Sequence, residues 1–343
     1  LKKAIFRFFV AVGNAYVVLD NLFKGLAPSY KKRNRTRDKV FSFLPRLLLI
    51  PLNALGSKLV FQPIKSLFGT RLKAGVSGGG SLKREIDLFF AAAGVVLMEG
   101  YGLTEAGPVV AVRSLQHLEA GTVGTAFPGM EIKLLDDHGR PCPPGQTGLI
   151  FCRGAQIMKG YYGDPEETAN VLSPDGWLNT GDLGIMTHDQ ALAIVGRKKD
   201  TIVLLNGKNI EPVPIEKHLA YSPLIDMAVV VGQDQKYIGA LIVPNIPELQ
   251  RLAQEKGWQS DSLDDLIKHP GVQNLYRKTI DEHINPHNGF KPYERIHNFV
   301  LLTHPFEAPR ELSAKQELKR SEVNRLYAEQ IASLFKSSSG SPA

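Results

Sequence analysis

Cysteine is nearly absent from this chain: two occur in 343 residues, Cys142 and Cys152, and neither belongs to a C-x-x-C pair. That argues against a disulfide framework and a thiolate metal site, and it suits a reducing cytosol. Long uninterrupted apolar runs are also missing. The run at 47–52 is too short to cross a bilayer and contains Pro51, so no transmembrane helix is expected. The opening LKKAIFRFFVAVGNAYVVL is superficially like a signal peptide, but Arg7 interrupts its apolar core and no small-residue cleavage site follows. The chain has no internal repeat. Its only low-complexity stretch is the small, polar tail at 337–343, which is expected to fray.

What is present is ordinary for a folded protein, with 43% hydrophobic and 22% charged residues. The length suits one large domain and a smaller one. Net charge is +7, with a local concentration at Lys31, Lys32, Arg33, Arg35, Arg37 and Lys39. This cluster reads either as a solvated loop or as a contact for anionic lipid headgroups. It lacks interleaved aromatics and no recognised module accompanies it, so no nucleic-acid partner is expected.

Residues 1 to about 70 read as helical. Ala4, Phe8, Val12 and Ala15 share one helical face, and a second apolar segment covers 41–59. A short strand at 72–77 runs into Gly78, Gly79 and Gly80; a helix at 82–93 and a buried strand at 95–98 follow. That order is the α/β signature of a parallel sheet. Strands at 130–135, 148–152, 183–186 and 192–195, with a turn at 137–139, form a small antiparallel β unit. After the charged break Arg197, Lys198, Lys199, Asp200 come strands at 201–205, 227–231 and 237–243. Helices are expected at 246–256, 272–287 and 318–335, completing a small α+β domain. The expected organisation is a large domain over 1–198, a small one over 199–336 and a flexible tail over 337–343.

Three local features point to nucleotide chemistry. SGGG at 77–80 lies between a strand and a helix, where glycines admit a flat ring or a phosphate close to the backbone; a structural turn explains it equally well. Tyr101, Gly102, Leu103, Thr104 and Glu105 follow a buried strand. They offer a ring to stack on a base, a hydroxyl for phosphate and a carboxylate for a hard cation, or simply the start of a helix. Asp182, closing the run WLNTGD, can accept two hydrogen bonds from vicinal hydroxyls, or can sit in a β-turn.

Their order, SGGGSL, GYGLTE, WLNTGDLG and GRKKD, resembles that of the adenylate-forming superfamily of acyl-CoA synthetases, peptide-synthetase adenylation domains and firefly luciferase. The similarity runs from about residue 50 to 335. It is closest to long-chain acyl-CoA synthetases, through GRKKDTIVLLNGKNIEP at 196–212 and ELSAKQELKR at 311–320. The resemblance implies the C-terminal part of the family's large α/β domain followed by its small α+β domain. It implies ATP, Mg²⁺ and coenzyme A as cofactors. A fatty acid would be activated as acyl-AMP and passed to coenzyme A or, alternatively, to an acyl carrier protein, in the cytoplasm and peripheral to the inner face of a membrane.

By the same resemblance, Gly79 and Gly80 line the adenine and acyl pocket, and Tyr101 stacks on adenine beside Gly102. Thr104 contacts phosphate and Glu105 holds Mg²⁺. Asp182 and Arg197 grip the ribose, Lys199 matches the hinge between half-reactions, and Gly207 lies near the pantetheine channel.

The sequence departs from the family twice. The Ser/Thr/Gly-rich phosphate loop that precedes SGGGSL in the family is absent, and the chain opens on Leu1. A longer protein that has lost its N-terminal part is therefore expected, and a weak or inactive ligase on its own. The family also carries a lysine near the C terminus that bridges the substrate carboxylate and the nucleotide. Aligned on Leu318, Lys319 and Arg320, that position holds Glu317, with Lys315 and Lys319 as the candidate replacements. A non-catalytic AMP-binding homologue is the reading that Glu317 favours.

Overall fold

The computed structural model describes residues 2–69, 71–80, 82, 84–258, 260, 262–314 and 316–336. Lys315 and the tail at 337–343 lie outside the described residues. The chain divides into two compact units, Leu1–Val195 and Gly196–Ala343.

The first unit opens with two long helices, α1 (Lys2–Lys24) and α2 (Arg35–Gly56). Asn34 caps α2, its side chain accepting the Arg37 N–H at 3.1 Å, which satisfies one of the unpaired donors of the first turn. Part of the basic cluster is therefore helical: Arg35, Arg37 and Lys39 lie in the first turns of α2. Pro45 and Pro51 sit inside this helix without ending it, and it continues through a π-helical turn, Ser57–Phe61, into α3 (Gln62–Ser66).

The helices here are longer than the apolar runs of the sequence suggest. By length and composition, both Lys2–Lys24 and the continuous stretch Arg35–Ser66 suffice to cross a membrane. Reading Pro51 as a break hid the second of them, because the apolar positions are spread over 32 helical residues instead of concentrated in one run. The two helices approach closely at glycines. A Cβ on Gly13 would stand 2.8 Å from the Phe61 ring, and one on Gly56 2.7 Å from the Phe9 ring.

β1 (Gly75–Ser77), α4 (Arg84–Ala92) and β2 (Leu97–Gly102) follow, with β1 and β2 parallel as the strand, glycine turn, helix, strand order requires. β3 (Val109–Val112) and β4 (Thr125–Ala126) extend this sheet antiparallel, in the order β1-β2-β3-β4; the sequence pattern gives no sign of them. The second sheet is β5 (Met130–Leu135), β6 (Thr147–Gly154), β7 (Leu178–Met186) and β8 (Leu192–Arg197), paired in chain order, with α5 (Pro165–Val171) between β6 and β7. β7 is longer than expected. It begins at Leu178, so Asn179 to Asp182 belong to a strand, with Gly181 at φ +71° inside it. Leu134, Ile150 and Leu192 bury the inner side of this sheet.

The second unit begins with a small hairpin, β9 (Ile202–Val203) and β10 (Asn209–Ile210), then α6 (Pro212–Leu219). Its sheet comprises β11 (Ile225–Val231), β12 (Ile238–Pro244) and, after α7 (Ile246–Lys256), α8 (Leu263–Lys268) and α9 (Pro270–His283), β13 (Ile296–Leu301). β12 is central, antiparallel to β11 and parallel to β13, and all seven of its residues are buried. Leu249 and Tyr276 pack on one face of the sheet. Val323, Tyr327 and Leu334 pack on the other, from α10 (Arg320–Leu326), the Tyr327 junction and α11 (Ala328–Phe335). The single helix expected over 318–335 is thus two helices meeting at Tyr327. The strand expected over 201–205 is only two residues long, and α6, α8 and β13 go beyond the elements expected from sequence.

Candidate functional site

In the first unit the glycine loop, the end of β2 and the middle of β7 carry the predicted residues. Gly79 has φ +82°, and a Cβ on Gly79 or on Gly80 would meet nothing within 4 Å. The loop is an open, exposed cradle of backbone. Gly102 is different. A Cβ there would stand 1.8 Å from the Pro108 carbonyl oxygen, so close strand approach alone demands glycine.

Tyr101 and Asp182, 81 residues apart in sequence, are joined directly. The Tyr101 hydroxyl donates to Asp182 Oδ2 at 2.6 Å. Burial, reinforced by the Asp182 charge, raises the Tyr101 pKa well above the ordinary tyrosine range. The Asp182 amide donates to Thr180 Oγ1 at 3.1 Å, and that hydroxyl donates to the Ile150 carbonyl at 3.0 Å, which ties the site to β6.

Beyond β2, the turn Thr104–Ala106 presents an exposed Thr104 and a half-buried Glu105. The Tyr161 hydroxyl donates to Glu105 Oε1 at 3.0 Å, and the Met158 amide donates to the Glu105 carbonyl at 2.8 Å. Gln156 Nε2 donates to the Ala106 carbonyl at 2.9 Å. The segment 156–161 therefore fixes the Thr104–Glu105 turn in place. Among the described residues no group of three or more His, Cys, Asp or Glu side chains is placed to hold a metal ion. Magnesium that arrives with a nucleotide needs only one or two protein carboxylates, phosphate and water supplying the rest. Glu105, a hard oxygen donor oriented by Tyr161, fits that requirement.

In the second unit Arg197 and Lys199 are exposed, at the end of β8 and in the turn Lys198–Asp200. Both line a cleft of about 1110 Å³ whose other walls include Glu317, Lys319, Arg320 and Phe335. Arg320 pairs with Glu216 at 2.5 Å and approaches Asp200 at 3.6 Å. Gly207 sits at φ +74° near the tip of the β9–β10 hairpin, where a Cβ would meet no atom within 4 Å. Glu317 is exposed, its amide held by the Ser313 hydroxyl at 3.1 Å. Lys319 Nζ donates to the Pro309 carbonyl at 2.9 Å, so its ammonium rests on its own loop.

Several contributors escape a reading of the sequence alone. Tyr161 orients Glu105. Lys133 and Arg153 flank the Trp177 ring, 3.9 and 4.7 Å from its centroid. Asp87, Glu99 and Arg113 form a buried ionic group that the Leu82 amide, just after the glycine loop, also joins. Of these only Glu99 leaves a signal in sequence, as a charge inside an apolar strand.

An α/β unit with a glycine loop, a Tyr–Asp pair bridging two strands and a fixed Thr–Glu turn, followed by a small α+β unit, is the arrangement of adenylate-forming proteins. Comparison with known proteins agrees. The AMP-binding enzyme model matches residues 9–162 and the AMP-binding enzyme C-terminal domain model matches residues 199–339. The chain belongs to the AMP-binding enzyme family.

It is 40% identical over 264 residues to a chloroplastic long-chain-fatty-acid–[acyl-carrier-protein] ligase of Arabidopsis thaliana, covering 72% of this chain and 36% of that one. A long-chain-fatty-acid–CoA ligase of Mycobacterium bovis is 33% identical over 294 residues, covering 85% and 46%. Among solved structures, the adenylation and carrier didomain of a carboxylic acid reductase from Segniliparus rugosus, in complex with AMP, superposes with a TM-score of 0.65 at 24% identity, covering 82% of this chain and 37% of that one. An anthranilate CoA ligase in complex with anthranoyl-AMP gives 0.57 at 23% identity, covering 76% and 44%. These structural likenesses bear on the fold. The chain spans less than half the length of these relatives.

Proposed function

We propose that this chain is the nucleotide-holding part of a ligase that activates a long-chain fatty acid through acyl-AMP and transfers the acyl group to coenzyme A. The observation that carries the reading is the Tyr101–Asp182 hydrogen bond, which joins a flat ring to a carboxylate. In this reading Gly79, Gly80 and Gly102 leave room for adenine, and the Tyr101 ring stacks on it. Asp182, its carboxylate oriented by the phenol, accepts from the ribose hydroxyls, and Arg197 adds a cation.

Thr104 donates to phosphate and Glu105 holds Mg²⁺, which when bound supplies positive charge against the charge developing on the phosphate oxygens. The fatty carboxylate is ionised at neutral pH, so the chain needs no general base for its attack on the α-phosphate. Positioning then carries much of the rate. We propose Lys199 as the pivot between the two half-reactions, at the start of a small domain over 199–336, and Gly207 as the pantetheine-side contact.

A second acceptor, the thiol of an acyl carrier protein, is favoured by the higher identity to the Arabidopsis ligase, 40% against 33% for the mycobacterial CoA ligase. A non-catalytic AMP-binding role is favoured by Glu317, an exposed carboxylate where the family has a lysine. We further propose peripheral contact with an anionic membrane on the cytoplasmic side. Lys31 and Lys32 are exposed at the turn between α1 and α2, and Phe41, Leu44, Leu48 and Leu59 are exposed along the second helical stretch.

The test is ATP–pyrophosphate exchange with palmitate and acetate, using the complete product of the gene that encodes this chain. Palmitate-dependent exchange, lost in Lys315→Ala or Lys319→Ala, supports the ligase and names its lysine. AMP binding without exchange for any acid leaves the non-catalytic reading. Acyl transfer to coenzyme A or to carrier protein separates the acceptors, and flotation with anionic vesicles tests the membrane contact.

A further inference from the structure

Glu99 lies inside β2, two residues before Tyr101 and on the same face of the strand. It is 5% exposed, Arg113 is 2% exposed and Asp87 is 7% exposed. A carboxylate taken this far from water persists only with a cation and a full set of donors. Arg113 provides the cation. Its Nη2 donates to Glu99 Oε2 at 2.9 Å, its Nη1 to Asp87 Oδ2 on α4 at 2.8 Å, and its Nε to the Thr122 carbonyl at 2.6 Å. The guanidinium is thus fixed to a helix and a loop at once, and it aims the Glu99 carboxylate.

The other oxygen of that carboxylate faces the glycine loop. Glu99 Oε1 accepts the Leu82 N–H at 2.9 Å. Ser77, the last residue of β1, is the parallel partner of Glu99 across the sheet. The loop therefore departs opposite Glu99 and returns at a residue whose amide Glu99 holds. Between these points a Cβ added to Gly79 or to Gly80 would meet nothing within 4 Å.

We infer that Glu99, oriented by Arg113, is a positioning residue that closes the base of the 78–80 glycine loop and thereby sets the affinity of that loop for the nucleotide. This rests on the nucleotide reading proposed above. Glu99 does not touch the nucleotide in this scheme; it acts through Leu82 and the backbone of the loop.

The experiment pairs two readouts on the complete gene product labelled in leucine amides: hydrogen exchange at the Leu82 amide by NMR, and AMP affinity by calorimetry. Glu99→Ala is expected to speed Leu82 exchange and to weaken AMP binding, each by about tenfold or more, the usual loss for a hydrogen bond to a charged acceptor. The core amide of Leu241 in the second unit should be unaffected. Glu99→Gln keeps an acceptor oxygen for Leu82 but sets its NH2 against the Arg113 Nη2 donor, so both readouts should fall between wild type and Glu99→Ala; cooperative unfolding of each variant guards against a misfolded protein.

Unchanged Leu82 exchange in Glu99→Ala overturns the clamp, whether or not AMP binds. Faster exchange with unchanged AMP affinity overturns the role in binding. Wild-type protein that binds no AMP sinks the proposed function and the nucleotide role with it, while the exchange result still decides the clamp by itself.

Discussion

At the scale of single residues, glycine is required for different reasons at neighbouring positions. Gly102→Ala drives a methyl into the Pro108 carbonyl and should lower stability by about 1–3 kcal/mol, as overpacking does. Gly80→Ala meets open space at an ordinary φ and should be neutral or stabilising by about 0.4–1 kcal/mol, through the unfolded chain's lost freedom. Chemical denaturation of both variants checks the contrast.

Tyr101→Phe removes a hydrogen bond to a carboxylate and should cost about 1.5–3 kcal/mol near pH ~8. Its pH dependence has a definite sign. The Tyr101 pKa is raised in the folded chain, so its contribution is complete below the unfolded tyrosine value of about 10 and is lost as pH rises from there toward the folded value. The stability gap between wild type and Tyr101→Phe should therefore narrow above pH ~10. A gap that stays constant from pH ~8 to ~11 would contradict the assigned direction. The individual letters of this site, SGGG, YGLTE and TGD, were legible in sequence because each carries its chemistry locally. The Tyr101–Asp182 bond was not, because 81 residues separate its partners and only sheet packing joins them.

At the scale of elements, the crossing of α1 and α2 depends on Gly13 and Gly56. Gly56→Ala gains about 1 kcal/mol of helix propensity. Against that, the new Cβ would stand 2.7 Å from the buried Phe9 ring, an overpacking worth about 1–3 kcal/mol, so the net effect should be a loss. A higher melting temperature for Gly56→Ala would show that the ring yields freely. Helical periodicity identified these segments, but neither Pro45 nor Pro51 halted α2 as local rules suggest. A proline deletes one backbone bond and adds a clash, and neighbouring turns can outweigh both. Nor does periodicity reveal a boundary between two helices that share a face. The break at Tyr327 between α10 and α11 is of this kind, since both flanking helices pack the same side of the sheet.

At the scale of the whole molecule, each hydrophobic core among the described residues lies within one unit. The cores around Leu241 and Tyr276 draw only on residues after Gly196, and those around Ile150, Val110 and Phe61 only on residues before it. Arg197, Lys198 and Lys199 are exposed and lie between the two sets in the chain. Limited trypsin digestion should cut first at this tribasic site and release a fragment beginning near 198–200 that still unfolds cooperatively. First cleavage elsewhere, with this site protected, would argue against a domain boundary at Lys199.

The kind of protein is legible from local motifs alone. Glycine, tyrosine, threonine, glutamate and aspartate in a fixed order specify local backbone shapes and donor sets that need no distant partner to be recognised. Binary patterning likewise placed most strands and helices. Which of these groups meet depends on the packed fold. It brought Tyr101 to Asp182 and Tyr161 to Glu105, and it buried Arg113 between Asp87 and Glu99. Such pairings depend on strand register and burial, which arise from the packing of the whole sheet and leave no mark at any one position in the chain.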